Sequence, residues 1–195
     1  MGIALKFYSC VGSNHTTLDA IRILQKQRPF GPNDIDEIVV RGSQVTMDHV
    51  GWKYIPQGLT SAQLNLPYCV ATLLLDGECF VDEFTEEMVA DPSRMALSEK
   101  VRVEHDDAIT KLGSKFRHKV HVQVKLKDGA LLNSTVESGR GSEHNFASDV
   151  DIINKFMLLA TKALPMSLAE QLCDKICQLE KLANIKVITD LLAIR

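Results

Sequence analysis

Val120-His-Val-Gln-Val-Lys-Leu126, Lys127-Asp-Gly129 and Ala130-Leu-Leu-Asn-Ser-Thr-Val136 form the stretch on which the fold turns. Val120, Val122, Val124 and Leu126 alternate with His121, Gln123 and Lys125, the period of a strand with one buried face. Asp128-Gly129 supplies a tight turn able to take positive φ, and Ala130 to Val136 returns. A hairpin makes at least part of the sheet antiparallel. Upstream, Ile35-Asp-Glu-Ile-Val-Val-Arg-Gly42 and Val101-Arg-Val-Glu-His105 read as further strands. Between and around them lie helical patterns. Leu18, Ile21 and Leu24 share a stripe that ends before Pro29, with Thr16 and Asp19 spaced as a capping box. A helix starts near Pro67, and short ones cover 85–90 and 92–98. Residues 43–59, with Trp52 and Tyr54, read as irregular, and 138–142 as a flexible loop. The last third is helical: 151–164, then 167–182 beyond Pro165, then a short helix near Thr189–Ala193. The fold class is α+β, a small mostly antiparallel sheet of about four strands with helices packed on it, plus C-terminal helices.

Composition narrows the function. The 195 residues are 45% hydrophobic and 24% charged, enough apolar material for a real core. A net charge of -3 argues against general nucleic-acid binding, which needs a phosphate-neutralising surface. Five scattered cysteines (Cys10, Cys69, Cys79, Cys173, Cys177) fit reduced thiols in a cytoplasmic protein better than a disulfide framework. No signal peptide and no membrane span is expected, and Met1-Gly2 lacks the hydroxyl residue a myristoylation signal wants at Lys6.

Candidate chemistry is sparse. Gln63-Leu-Asn-Leu-Pro-Tyr68 runs into the apolar stretch Cys69–Leu75, so Tyr68 is fixed near a helix start. There it is either a proton donor or a core tyrosine bonded to a carbonyl. His15 follows Gly12-Ser-Asn14 close to another helix start, where the macrodipole disfavours imidazolium and favours a bound anion. It reads as a general base or as a solvent-exposed or capping histidine. The six histidines lack metal spacing, so no metal site is expected. Cys173 and Cys177, at i and i+4, read as two buried helix cysteines. Gly139-Arg140-Gly141 lacks the strand-to-helix setting of a dinucleotide fingerprint, and leaves Arg140 as a carboxylate contact.

Several segments, in order, resemble the MmgE/PrpD family: Lys6-Phe-Tyr-Ser-Cys10; His15 with Leu18-Asp19-Ala20; Ile35–Val40; Ala62-Gln-Leu-Asn-Leu-Pro-Tyr68 with Leu75-Asp-Gly77; Lys127-Asp-Gly129; and Asp151–Phe156. The match covers nearly the whole chain and corresponds to that family's C-terminal half. The resemblance implies lyase or isomerase chemistry on a small polycarboxylate, such as 2-methylcitrate dehydration, without metal or organic cofactor. It assigns His15 and Tyr68 to catalysis and Lys6 to a substrate carboxylate, beside the Arg140 contact read from its loop. Val11-Gly12-Ser13 departs from relatives with a basic residue there, which leaves the substrate open.

Family members also begin with a long helical domain that supplies further active-site residues. The expected organisation is an α+β domain over 1–164 and a helical segment over 165–195. The apolar face from Leu168 to Leu191 would pack on that helical domain or on a second copy in a homodimer. A second reading is an inactive interaction module.

Overall fold

The computed structural model describes residues 3–193; the Met1-Gly2 pair considered for lipidation lies outside them. These residues fall into two compact units, one ending at Phe146 and one beginning at Ala147.

The first unit is built on a four-stranded sheet: β1 (Ile35–Gly42), β2 (Val101–His105), β3 (Val120–Leu126) and β4 (Leu131–Val136), in the order β2-β1-β3-β4. β1 pairs in parallel with β2 and antiparallel with β3, and β3 pairs antiparallel with β4. The hairpin is as its alternation requires. Val120, Val122, Val124 and Leu126 are buried, and Gly129 takes φ 90° in the turn. A parallel pair needs a crossover. Here it runs through α2 (Gln44–Val50), α3 (Leu59–Leu64), α4 (Leu66–Asp76), α5 (Glu86–Val89) and α6 (Pro92–Ser98). The helix α1 (Gly12–Gln27) packs on β3, β4 and α4, burying Leu18, Ile21 and Leu24 completely.

Three local readings are corrected, and one helix is added. α1 begins at Gly12, so Thr16 and Asp19 lie inside the helix and form no capping box. Within 43–59, read as irregular, residues 44–50 form a helix, while 51–58 carry neither helix nor strand. Ser43 caps α2 by accepting the Thr46 N–H, and α2 buries only Thr46 and Val50, too few positions to show a stripe. A short helix α7 (Asp107–Lys111) follows β2, capped by Asp106. The loop read as flexible is pinned: the Leu5 N–H donates to Gly141 O (2.9 Å), and the Arg140 N–H donates to Asp19 Oδ2 (2.8 Å). Gly141 sits at φ 89°, and a Cβ there would come within 2.4 Å of Leu5 O.

The second unit holds α8 (Asp149–Ala160), α9 (Met166–Ile176) and α10 (Lys186–Leu192). Ser148 and Asp151 form a reciprocal capping box, so α8 starts before the expected residue 151. α9 stops at Ile176, and a 3-10 turn, Leu179–Lys181, replaces its expected continuation. Cys177 is exposed and Cys173 half-buried, not two buried thiols. The unit buries little: Ala169, Leu172 and Ile188 are its buried apolar side chains, whereas Ile152, Ile153, Leu158 and Leu159 of α8 are exposed.

Among the described residues no helix is long and apolar enough to cross a membrane.

Candidate active site

The first turns of α1 concentrate buried polar groups. Ser13, Asn14, His15, Thr16 and Thr17 are all buried, and Val11, at the cap position, offers no side-chain acceptor. Asn14 Oδ1, His15 Nε2, Thr16 Oγ1 and Thr17 Oγ1 have no hydrogen-bond partner. Buried polar groups are ordinarily paired, so such a concentration sets these turns apart from the rest of the core. His15 stands edge-on to the Tyr8 ring, with centroids 5.2 Å apart and planes at 89°. Tyr8 donates to Asp19 Oδ1 at 2.8 Å. Burial, then the adjacent Asp19 carboxylate, push the Tyr8 phenol far above its ordinary value, so it stays a donor. Asp19 thereby clamps the lead-in segment and the 138–142 loop against α1. A Cβ at Gly139 would lie 3.2 Å from that of His15, which shows how closely the loop backs the imidazole.

His15 and Thr16 line a cavity of about 800 Å³. Its other walls come from the lead-in segment, from residues 114–118 before β3, and from the loop after β4. They bring Lys6, Lys115, Arg117 and Arg140 to one space, against the carboxylates of Glu137 and Glu143. The Arg140 guanidinium lies 4.3 Å above the Phe7 ring, which holds it in place. Ser43 and Thr46, at the start of α2, both donate to the Arg117 carbonyl and fix that segment.

His118, at the same cavity, accepts from Arg117 Nε at 3.0 Å through its Nε2. The ring proton therefore sits on Nδ1, which is buried and has no partner. Burial first, and the Arg117 charge second, push its pKa down to about 4. At neutral pH it is an uncharged hydrogen-bond donor. Sequence reading missed Lys115, Arg117 and His118; the run Lys115-Phe-Arg-His-Lys119 just before the first hairpin strand was the available signal.

Of the residues singled out in the sequence, Lys6, His15 and Arg140 line this cavity, and Tyr68 is not among its lining residues. Tyr68 is fully buried, donates to Met88 O at 2.9 Å, and packs against Tyr54 (4.5 Å) and Phe84 (6.2 Å). Burial pushes its phenol up to about 12.

Next to His15 lies a second cluster. The Sγ atoms of Cys10, Cys69 and Cys79, all buried, lie within 4.8 Å of one another. Asn14 Nδ2 donates to Cys69 Sγ at 3.3 Å. Hydrogen bonds from Cys69 and Cys79, with a smaller contribution from His15, hold the Cys10 thiol well below its ordinary value. Burial pushes Cys69 well above.

The class these features define is an α+β domain with a cationic, histidine-bearing cavity at a helix N-terminus. The chain belongs to the MmgE/PrpD family: its C-terminal domain matches residues 8–179. Among curated relatives, the chain is 26% identical over 199 residues to a cis-aconitate decarboxylase of Aspergillus terreus (97% of this chain, 40% of the relative). It is 27% identical over 197 residues to the cis-aconitate decarboxylase of Mus musculus (97% and 39%). It is 28% identical over 196 residues to that of Homo sapiens (97% and 40%). The chain spans about 40% of the length of these relatives.

Proposed function

We propose that the cavity beside α1 binds a small polycarboxylate, and that the chain is the C-terminal-domain part of an MmgE/PrpD-type lyase acting next to a carboxylate. The observation that carries this reading is the unpaired, buried His15 Nε2 at a cavity lined by Lys6, Lys115, Arg117 and Arg140. Removing a proton or a carboxyl group beside a carboxylate builds negative charge on the substrate. Fixed cations and hydrogen-bond donors aimed at that charge lower the barrier. Lys6 and Arg140 neutralise substrate carboxylates, and the neutral His118 Nδ1–H orients one of them. His15, backed by Tyr8 and Gly139, holds or moves the proton. Decarboxylation is the chemistry named for the relatives above; dehydration and epimerisation need the same charge stabilisation.

Calorimetric titration of the purified chain with citrate and cis-aconitate tests the reading, alongside turnover assays on both and on 2-methylcitrate. His15→Ala is expected to weaken binding about 10- to 100-fold, the loss of one hydrogen bond to a charged group. Tyr68→Phe is expected to leave binding unchanged while lowering stability. Saturable binding unaffected by His15→Ala, or none to a folded chain, overturns it.

A second reading, an assembly module without catalysis of its own, is favoured by one observation. α8 has no buried residue and exposes Ile152, Ile153, Leu158 and Leu159. Binding without turnover by the chain alone, with turnover on addition of a helical partner domain, joins the two readings.

A further inference from the structure

We infer that Cys10, Cys69 and Cys79 form a binding site for one thiophilic closed-shell cation, with Zn2+ the best match. Three chain segments bring these sulfurs together. Cys10 ends the lead-in before α1, Cys69 lies in the first turns of α4, and Cys79 follows that helix. The Ser9 N–H donates to Cys79 O at 3.0 Å and the Val11 N–H to Gln63 O at 3.1 Å, so backbone bonds on both sides of Cys10 hold it against the other two. Zinc–thiolate bonds of about 2.3 Å put tetrahedral sulfurs roughly 3.8 Å apart. The three Sγ atoms, already within 4.8 Å of one another, reach that spacing by small side-chain rotations.

One neighbour already offers the cluster a contact suited to a bound ion. The Asn14 amide donates to Cys69 Sγ, the outer-shell contact that a ligating thiolate needs. A fourth, non-protein donor such as water completes a tetrahedral site. Soft sulfur ligands select zinc or monovalent copper over hard cations. A divalent ion offsets more of the thiolate charge in a dry pocket than a monovalent one does. Each thiol that binds releases its proton to solvent, so affinity rises with pH.

The test is an anaerobic titration of the reduced, chelator-stripped chain with Co2+, which reports thiolate ligands by its sulfur-to-metal charge-transfer absorption. One equivalent is expected to produce this band, and one equivalent of Zn2+ to abolish it. The Cys173→Ser/Cys177→Ser double variant, altered only in the second unit, is expected to retain the band. Cys10→Ser, checked for folding by circular dichroism, is expected to lose at least about tenfold in affinity. Absence of the band in the folded wild-type chain overturns the inference. So does its loss in the Cys173/Cys177 variant. A Cu+ competition distinguishes the two soft ions.

Discussion

α1 and α4 begin side by side, with Asn14 of one donating to Cys69 of the other, yet their N-termini are built in opposite ways. At α4 every element of a stable start is present. Asn65 accepts the Tyr68 N–H at 2.8 Å, its amide donates to Trp52 O at 2.6 Å, and Pro67 occupies the first turn. Even the Tyr68 hydroxyl has its acceptor. At α1 there is no side-chain cap, and four buried polar atoms of the first turns lack partners. Burying such groups unpaired costs free energy that a core does not spend without return. The contrast separates a helix start whose polar groups are all paired from one where they are not, the feature on which the proposed ligand site rests.

The comparison breaks first, if it breaks, at Asn65. Asn65→Ala removes a cap and strands the Trp52 carbonyl, so a stability loss of about 2–4 kcal/mol is expected in urea unfolding. A loss under about 0.5 kcal/mol would mean that α4 is not held by its cap.

A smaller effect sharpens the open side through pH. His118 has a folded pKa of about 4, below its ordinary 6.5. Between those values the unfolded chain takes up a proton that the folded chain refuses. Stability is therefore full above about pH 6.5 and declines as pH falls toward 4. Because the ring is partly exposed, the expected loss between pH 7 and pH 5 is on the order of 1 kcal/mol. Urea midpoints measured across that range should show a shallower slope for His118→Asn than for the wild type.

The smallest effect is the most discriminating. Thr16→Val replaces an unpaired buried hydroxyl by a methyl, so stability should stay within about 0.5 kcal/mol of wild type or rise. Citrate affinity should fall in the same variant. A destabilisation above 1 kcal/mol in thermal melts would show that Thr16 Oγ1 is paired after all.

Strand and helix positions were legible wherever a local pattern carried them. The alternation of Val120 to Leu126 marked β3 to the residue, because a buried strand face is written at every second position, and Ile38-Val-Val40 marked β1. α2 and α7 were not legible: each is short, with only one or two buried residues, and held by a cap rather than a stripe. His15 could be flagged from its neighbours alone. Tyr68 drew attention for its place after Pro67, but its surroundings, Met88, Tyr54 and Phe84, come from distant segments.

The sequence by itself determined the α+β class, the hairpin, the family and the candidacy of Lys6, His15 and Arg140, since each rests on periodicity or on a run of adjacent residues. Only the tertiary structure decided that His118 joins His15 at one cavity, and that Cys10, Cys69 and Cys79 converge. The physical reason is range. Periodicity and capping act over a few residues, whereas a cavity or a ligand cluster is assembled by sheet pairing and helix packing between segments that carry no mark of one another.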